Sequence, residues 1–236
     1  MKGVILAGGT GTRLYPLTKI INKHLLPVGN FPMICHGIEK LQSAGIKEIL
    51  LVISKQSAGL YTELLGGGRE WGVRLTYKIQ EEAGGIAQAL SLAESFMKPD
   101  EKFLVLLGDN LFEDSLTTYV QSFQKQKKGA RILLKKVHDP ERYGVPILEE
   151  NTILRIEEKP ENPKSDFCVT GIYMYDTTVF DKIRGIKPSG RGELEITDVN
   201  NVYAAEGQLA YDVLDGWWTD AGTFKSLHQA SDWLLK

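Results

Sequence analysis

The chain has 236 residues, 42% of them apolar, and a formal net charge of −2. That supplies a sizeable core and suits one large α/β domain, or at most two small ones. The near-neutral balance argues against a nucleic-acid surface, which needs a basic stripe, and no apolar run approaches the roughly 18 residues expected of a membrane span.

Strands and helices alternate through the first half. Lys2–Leu6 reads as a short apolar strand that runs straight into a glycine-rich turn. Pro32–Ala44 reads as a helix, with Ile34, Ile38 and Leu41 at helical spacing and Gly45 as its stop. Glu48–Ser54 is an apolar run of the kind buried on both faces of a sheet. Leu60–Leu65 is a short helix ended by glycines, Val73–Ile79 a strand, and Gly84–Met97 a helix with Ile86, Leu90, Ala93 and Met97 on one face. Phe103–Leu107 is a second buried strand. This alternation predicts a largely parallel sheet covered by helices on both sides.

After about residue 130 strands dominate: Ala130–Val137, Gly144–Leu148, Thr152–Glu157 and Phe167–Tyr175. Helices are expected at about Thr177–Arg184 and Glu195–Glu206, a strand at Gln208–Leu214, and a closing helix from Thr223. No linker or repeat interrupts the chain. Residues 1–236 are therefore expected to form a single domain, with the second half as a sheet extension and lid. Cys35 and Cys168 have no C-x-x-C neighbour and read as buried small hydrophobes. Without a disulfide framework, and with too short an apolar run for a signal peptide, the expected compartment is the cytoplasm.

The chemistry begins in Leu6-Ala7-Gly8-Gly9-Thr10-Gly11-Thr12-Arg13. Glycines let the backbone approach a ligand, successive N–H groups form an anion nest, and Arg13 adds a fork that matches phosphate oxygens. Lys23 follows, and together these residues suggest a polyphosphate cradle. Two better-known cradles are rejected. Leu14 stands where the dinucleotide fingerprint needs its third glycine, and no Gly-Lys-Ser or Gly-Lys-Thr makes a P-loop. A plain glycine-rich turn is the competing reading of the glycines alone.

Gly108-Asp109-Asn110 puts an acid just past a buried strand, where it is either a hard oxygen ligand suited to Mg²⁺ or an ordinary Asp-Asn turn. Gly216 to Gly222 reads as a tight turn that offers a second acid, Asp220, either as a Mg²⁺ ligand or as the cap of the last helix. Glu158-Lys159-Pro160 follows a strand; Glu158 can accept from sugar hydroxyls and Lys159 can neutralise a phosphate, although an ordinary charged turn looks the same. Asp139 to Gly144 is a polar turn able to close over a ligand. The Gln80 amide offers a donor and an acceptor, the complement of a pyrimidine edge.

With these units together, the chain resembles the sugar-nucleotide pyrophosphorylases along nearly its whole length. The match runs from Leu6–Leu14 and Lys23 through Gly84-Gly85-Ile86-Ala87-Gln88-Ala89, Gly108-Asp109-Asn110, Glu158-Lys159-Pro160 and Val169-Thr170-Gly171-Ile172-Tyr173 to Trp218-Thr219-Asp220-Ala221-Gly222. The resemblance implies an α/β fold with a Rossmann-like, mixed and mostly parallel central sheet flanked by helices. It implies Mg²⁺-dependent nucleotidyl transfer from dTTP, or from UTP as the alternative, to α-D-glucose 1-phosphate, with release of pyrophosphate. A less favoured alternative is an inactive nucleotide-sugar sensor, which would be expected to have lost Arg13, Lys23, Asp109 or Asp220.

The same resemblance implies a nucleotide-binding part over about 1–110 and a sugar-binding part over about 111–236, and it implies the site residues. The nucleotide would be held by Leu6, Ala7, Gly8, Gly9, Thr10, Gly11, Thr12 and Arg13, with Gln80 and Gly85 at the base and Asp109 at the phosphates. The sugar phosphate would meet Asn110, Tyr143, Gly144, Glu158, Lys159, Val169 and Thr170. Arg13, Lys23, Asp109 and Lys159 would be catalytic, and Asp109 with Asp220 would hold the metal. A homo-oligomer, dimer or tetramer, is implied, as is a place in rhamnose or other deoxysugar supply; neither nucleic acid nor membrane is an expected partner. Two departures stand out. Longer relatives continue past the helix that follows Gly222, which puts their regulation and tetramer in doubt here, and Phe31 replaces a usual Lys, with a modest effect expected.

Overall fold

Strand β1 (Lys2–Ala7) carries Val4 and Leu6 to one face and Ile5 and Ala7 to the other, all of them buried. That two-sided burial makes it the middle of the sheet. The computed structural model describes residues 1–235. After β1, a small hairpin of β2 (Pro27–Val28) and β3 (Phe31–Pro32) leads into α1 (Met33–Ser43), β4 (Glu48–Ser54), α2 (Ala58–Leu65), β5 (Arg74–Gln80), α3 (Ile86–Ser91) and β6 (Phe103–Leu107). The chain continues through β7 (Asn110–Phe112), α4 (Thr117–Lys125), β8 (Ala130–Lys136), β9 (Gly144–Glu149), β10 (Thr152–Glu158) and β11 (Phe167–Tyr175). It closes with α5 (Val179–Gly185), α6 (Ile196–Ala205), β12 (Leu209–Val213), β13 (Trp218–Asp220) and α7 (Phe224–Leu234).

Seven strands form one sheet in the order β12-β8-β11-β6-β1-β4-β5. All neighbours are parallel except β11, which runs antiparallel to both β6 and β8. The mixed, mostly parallel sheet expected from the sequence is thus present. Ile34, Ile38 and Leu41 of α1, Tyr61 of α2 and Phe123 of α4 cover one face with Ile5, Leu51 and Ile53. Ala87 and Leu90 of α3, Phe180 and Ile183 of α5, and Val199 and Tyr203 of α6 cover the other with Val4, Leu6, Leu50 and Val52. Cys35 and Cys168 are free and buried, and burial pushes both thiols up to about 12. Among the described residues, no helix is long and apolar enough to cross a membrane.

Two expectations are corrected, and one competing reading is excluded. The helix expected over Gly84–Met97 is only α3, followed by a single 3₁₀ turn at Glu94–Phe96. Its start is delayed because Gly84 and Gly85 run alongside Leu194: Leu194 N donates to Gly84 O at 2.8 Å, Ala87 N donates to Leu194 O at 3.1 Å, and Gly85 takes φ +97°. The tight turn expected at Gly216–Gly222 holds a strand, β13, paired antiparallel with β7. Asp220 also does not cap the last helix. Thr223 does, in a capping box with Ser226.

Candidate active site

Parallel strands present ligands at their carboxyl ends. Here β1 ends in the glycine turn, β5 ends at Gln80, and β6 ends at Gly108-Asp109. The antiparallel β11 brings its early residues, Val169 and Thr170, to the same edge. The close approach of these tips explains Gly8: a Cβ there would lie 2.1 Å from Gln80 Oε1.

Asn22 ties the cradle together. Its Nδ2 donates to Gly9 O at 3.4 Å and Ala7 O at 3.5 Å. Its Oδ1 accepts from His24 N at 3.0 Å and from Tyr61 Oη at 3.0 Å, which marks that oxygen as an acceptor and fixes the 2.8 Å contact to His24 as Nδ1–H donating. Burial first, and the adjacent Lys23 second, pull the His24 pKa down to about 3, so the ring stays neutral. The sequence does not single out Asn22 for the cradle: its cap on His24 is local, but its links to Ala7, Gly9 and Tyr61 span distant parts of the chain.

Lys23 Nζ pairs directly with Asp109 Oδ2, and both side chains are nearly nine-tenths buried, at 13% exposed. Burial alone would push the Asp109 carboxyl up. The Lys23 charge and hydrogen bonds from Lys23 and Asn110 outweigh it and hold the carboxyl well below the usual carboxylate range. Asp220 is reached through the β7–β13 ladder, where it faces Asn110, and Ala221 N donates to Asp109 O at 2.8 Å. Tyr143 Oη donates to Asp220 Oδ1 at 2.9 Å, with Arg142 Nη2 at 3.4 Å; Arg13 Nη2 lies 3.7 Å from Oδ2.

Burial, and then repulsion from Asp109, raise the Asp220 carboxyl above its ordinary range despite these partners. An acid whose pKa rises on folding costs stability once pH has climbed through the folded value, and costs none below its unfolded value. Metal-free Asp220→Asn is therefore expected to melt higher than the parent at about pH 7, with the gain fading toward about pH 4. Thermal melts at both pH values check this, and a lower Tm at neutral pH would reject it.

Two cavities meet at Asp109. The first, about 280 Å³, is lined by Leu6, Gly8, Gly9, Thr10, Lys23, Gln80, Gly85 and Asp109. Of the remaining residues expected at the nucleotide, Ala7 is buried, while Gly11 and Thr12 lie outside this lining. Arg13 turns to the second cavity. That cavity, about 230 Å³, is lined by Asn110, Tyr143, Gly144, Glu158, Lys159, Val169, Thr170 and Asp220, all the residues expected at the sugar phosphate plus the second acid. Ile86, Leu107 and Asp109 border both. Phe31 lines neither; it stands exposed, edge-on to Trp71.

Two of the expected sugar contacts are spent inside the protein. Asn110 Oδ1 accepts from Gly171 N and Trp218 Nε1, both at 2.8 Å, and its Nδ2 donates to Asp109 Oδ1 at 3.1 Å. Thr170 Oγ1 donates to Leu133 O at 2.8 Å. Glu158 and Lys159 carry the charge on this wall and pair with each other, Lys159 Nζ lying 3.4 Å from Glu158 Oε1. Thr197 Oγ1 donates to Glu158 Oε2 at 2.6 Å, and Lys159 sits at φ +45° with its N–H on Tyr143 O at 2.9 Å. Arg142 and Thr197 were not singled out as site residues by the sequence, although Arg142 lies in the polar turn from Asp139 to Gly144 and Thr197 in the helix expected at Glu195–Glu206.

Asp109 and Asp220 offer hard oxygen donors close enough to repel each other. Among the described residues, no group of three or more His, Cys, Asp or Glu side chains could hold a metal by itself. This donor set fits a cation that takes one or two protein carboxylates and completes its shell with phosphate oxygens and water, as Mg²⁺ does.

Residues 2–236 match the family model of the nucleotidyl transferases. The chain belongs to the nucleotidyl transferase family. Glucose-1-phosphate thymidylyltransferase of Neisseria meningitidis is 43% identical to this nucleotidyl transferase over 99% of the chain and 82% of that protein. The enzyme of the same name from Mycobacterium tuberculosis is 44% identical over the same shares. A Bacillus anthracis crystal structure described as a glucose-1-phosphate thymidylyltransferase in complex with a sucrose is 52% identical. It superposes with a TM-score of 0.96, covering 100% of this chain and 96% of that one. A UDP-glucose pyrophosphorylase in complex with UDP-glucose, 25% identical, gives a TM-score of 0.86 over 98% of this chain and 97% of that one.

Proposed function

We propose that the protein transfers a thymidylyl group from dTTP to α-D-glucose 1-phosphate, giving dTDP-glucose and pyrophosphate. The observation that carries this reading is the position of Asp109 on the border of two cavities, one floored by a glycine turn and the other walled by Glu158 and Lys159. The names of the 43–44% identical relatives support the choice of nucleotide and sugar.

In this reading a phosphate oxygen of the sugar attacks the α-phosphorus in line. The new P–O bond forms as the bond to pyrophosphate breaks, so the protein's task is positioning and charge stabilisation. The Gly8–Gly11 turn and Arg13 hold the departing pyrophosphate. Lys23 leaves Asp109 to bridge the phosphates. Lys159 orients the sugar phosphate, and Glu158, fixed by Thr197, accepts from sugar hydroxyls. Asp109 and Asp220 would hold Mg²⁺, which when bound neutralises charge at the α-phosphate. Gln80 reads the pyrimidine edge.

Uracil shares that edge, and the fold is shared with a UDP-glucose pyrophosphorylase, so uridylyl transfer is the second reading. Pyrophosphate release with α-D-glucose 1-phosphate and each of dTTP, UTP, CTP, GTP and ATP decides. Turnover highest with dTTP and abolished by EDTA is the expected result. A UTP preference would move the protein to the second reading, and silence with all five would reject both.

A further inference from the structure

Gln80 closes β5 with its amide lining the nucleotide cavity, its Oε1 against Gly8. Its Nε2 is committed elsewhere, donating to Gln88 Oε1 at 2.7 Å. Gln88 belongs to α3, lies outside the lining of the cavity, and packs its side chain over Gly84. Whichever way the Gln80 amide faces a base is therefore set by a residue behind it.

We propose that Gln88 is a positioning residue that makes the site select 4-keto pyrimidines, by holding the Gln80 carbonyl toward the base. This rests on the reading of the first cavity as a nucleotide site and deepens it. Thymine and uracil present an N3–H donor between two carbonyls. A Gln80 amide with one NH tied to Gln88 offers them an acceptor, Oε1, and one remaining N–H donor. Cytosine presents the reverse, an unprotonated N3 beside an amino group. To receive it, Gln80 must turn its NH₂ to N3, which sets its carbonyl against the Gln88 carbonyl unless both amides turn together. Polar groups left mispaired beneath a bound base are what make hydrogen-bonding pockets selective. The 5-methyl is not read by this pair, so dTTP and UTP are separated elsewhere.

The test compares dTTP with dCTP in two variants, by kcat/KM and by equilibrium binding of each triphosphate. Gln88→Leu removes the acceptor and frees Gln80 to turn, and is expected to lower the dTTP:dCTP ratio about five- to tenfold, the worth of one hydrogen bond. Gln88→Glu can only accept, so it forbids the joint turn and is expected to keep or raise the ratio. KM for the sugar phosphate should stay constant in both. A parent-like ratio in the Leu variant, or a fallen ratio in the Glu variant, would overturn the proposal, and the Glu variant alone suffices if the Leu variant does not fold. Parent protein that binds dTTP without turning it over would reject the proposed reaction while leaving the binding ratios as a test of Gln88.

Discussion

Asp109→Asn should purify as a folded protein and turn over about 10²–10³ times more slowly than the parent. The substitution is isosteric. An Asn side chain still offers Lys23 an acceptor, and the backbone link from Ala221 N to Asp109 O does not depend on the side chain. What disappears is the negative charge on the border of both cavities. Loss of that charge leaves the cation site with Asp220 alone, and leaves Lys23 with no counter-ion to exchange for phosphate. Circular dichroism, a melt and pyrophosphate release on one preparation check both points. Near-parent turnover would remove Asp109 from the mechanism.

Lys23→Met should be as inactive and, unlike Asp109→Asn, should also be unstable. The pair is asymmetric. A long lysine stem left alone can swing its charge into the open cavity, whereas the short Asp109 stem cannot carry its carboxylate to water. Breaking a buried pair from that side costs about 3–5 kcal/mol. The direction with pH follows from linkage. Asp109, held low in the folded parent, contributes stability above the ordinary carboxylate range, and that contribution is lost as pH falls through its folded pKa. Without Lys23, burial dominates, so the deficit should be largest near neutrality and shrink in acid. The double variant Lys23→Met/Asp109→Asn should recover most of the lost Tm and none of the activity. Additive losses in that cycle would mean that the two side chains are not coupled.

The elements legible in the sequence share one property: their boundaries are set locally. Glu48–Ser54 and Phe167–Tyr175 are read correctly at both ends because an apolar run is bounded by polar residues at each side. The periodicity of Gly84–Met97 was real, since Ile86, Leu90, Ala93 and Met97 do pack on one face of the sheet. The backbone nevertheless leaves the α-helix after Ser91, whose Oγ donates back to Gln88 O at 2.7 Å. Strands β7 and β13 were not legible, because three residues carry no period and each strand exists only through its partner.

The site divides the same way. Gly8, Gln80 and Asp109 could be placed on one cavity from the sequence, because buried parallel strands deliver their turns and polar residues at their tips. Asn22, Arg142 and Thr197 reach Tyr61, Asp220 and Glu158, partners far off in the chain, while Gln88 meets Gln80 only because the chain turns back between β5 and α3. Asn110 and Thr170 mark a limit of a different kind. Their positions beside the cavity follow from the strands, but nothing local says that their polar atoms turn inward to Trp218 and Leu133.

The short β7–β13 ladder has a consequence for how the protein comes into being. Every strand of the seven-stranded sheet is complete by Val213, but Asp220 reaches Asp109 only once β13 has paired with β7. A ribosome delivers the amino-terminal part first. The glycine turn and Lys23 therefore emerge before the second acid and can mature with the sheet, while Asp220 arrives only after every strand of that sheet. Chains not yet extended through β13 are expected to bind phosphate and stay chemically silent, so reactivity waits on a strand that lies outside the main sheet.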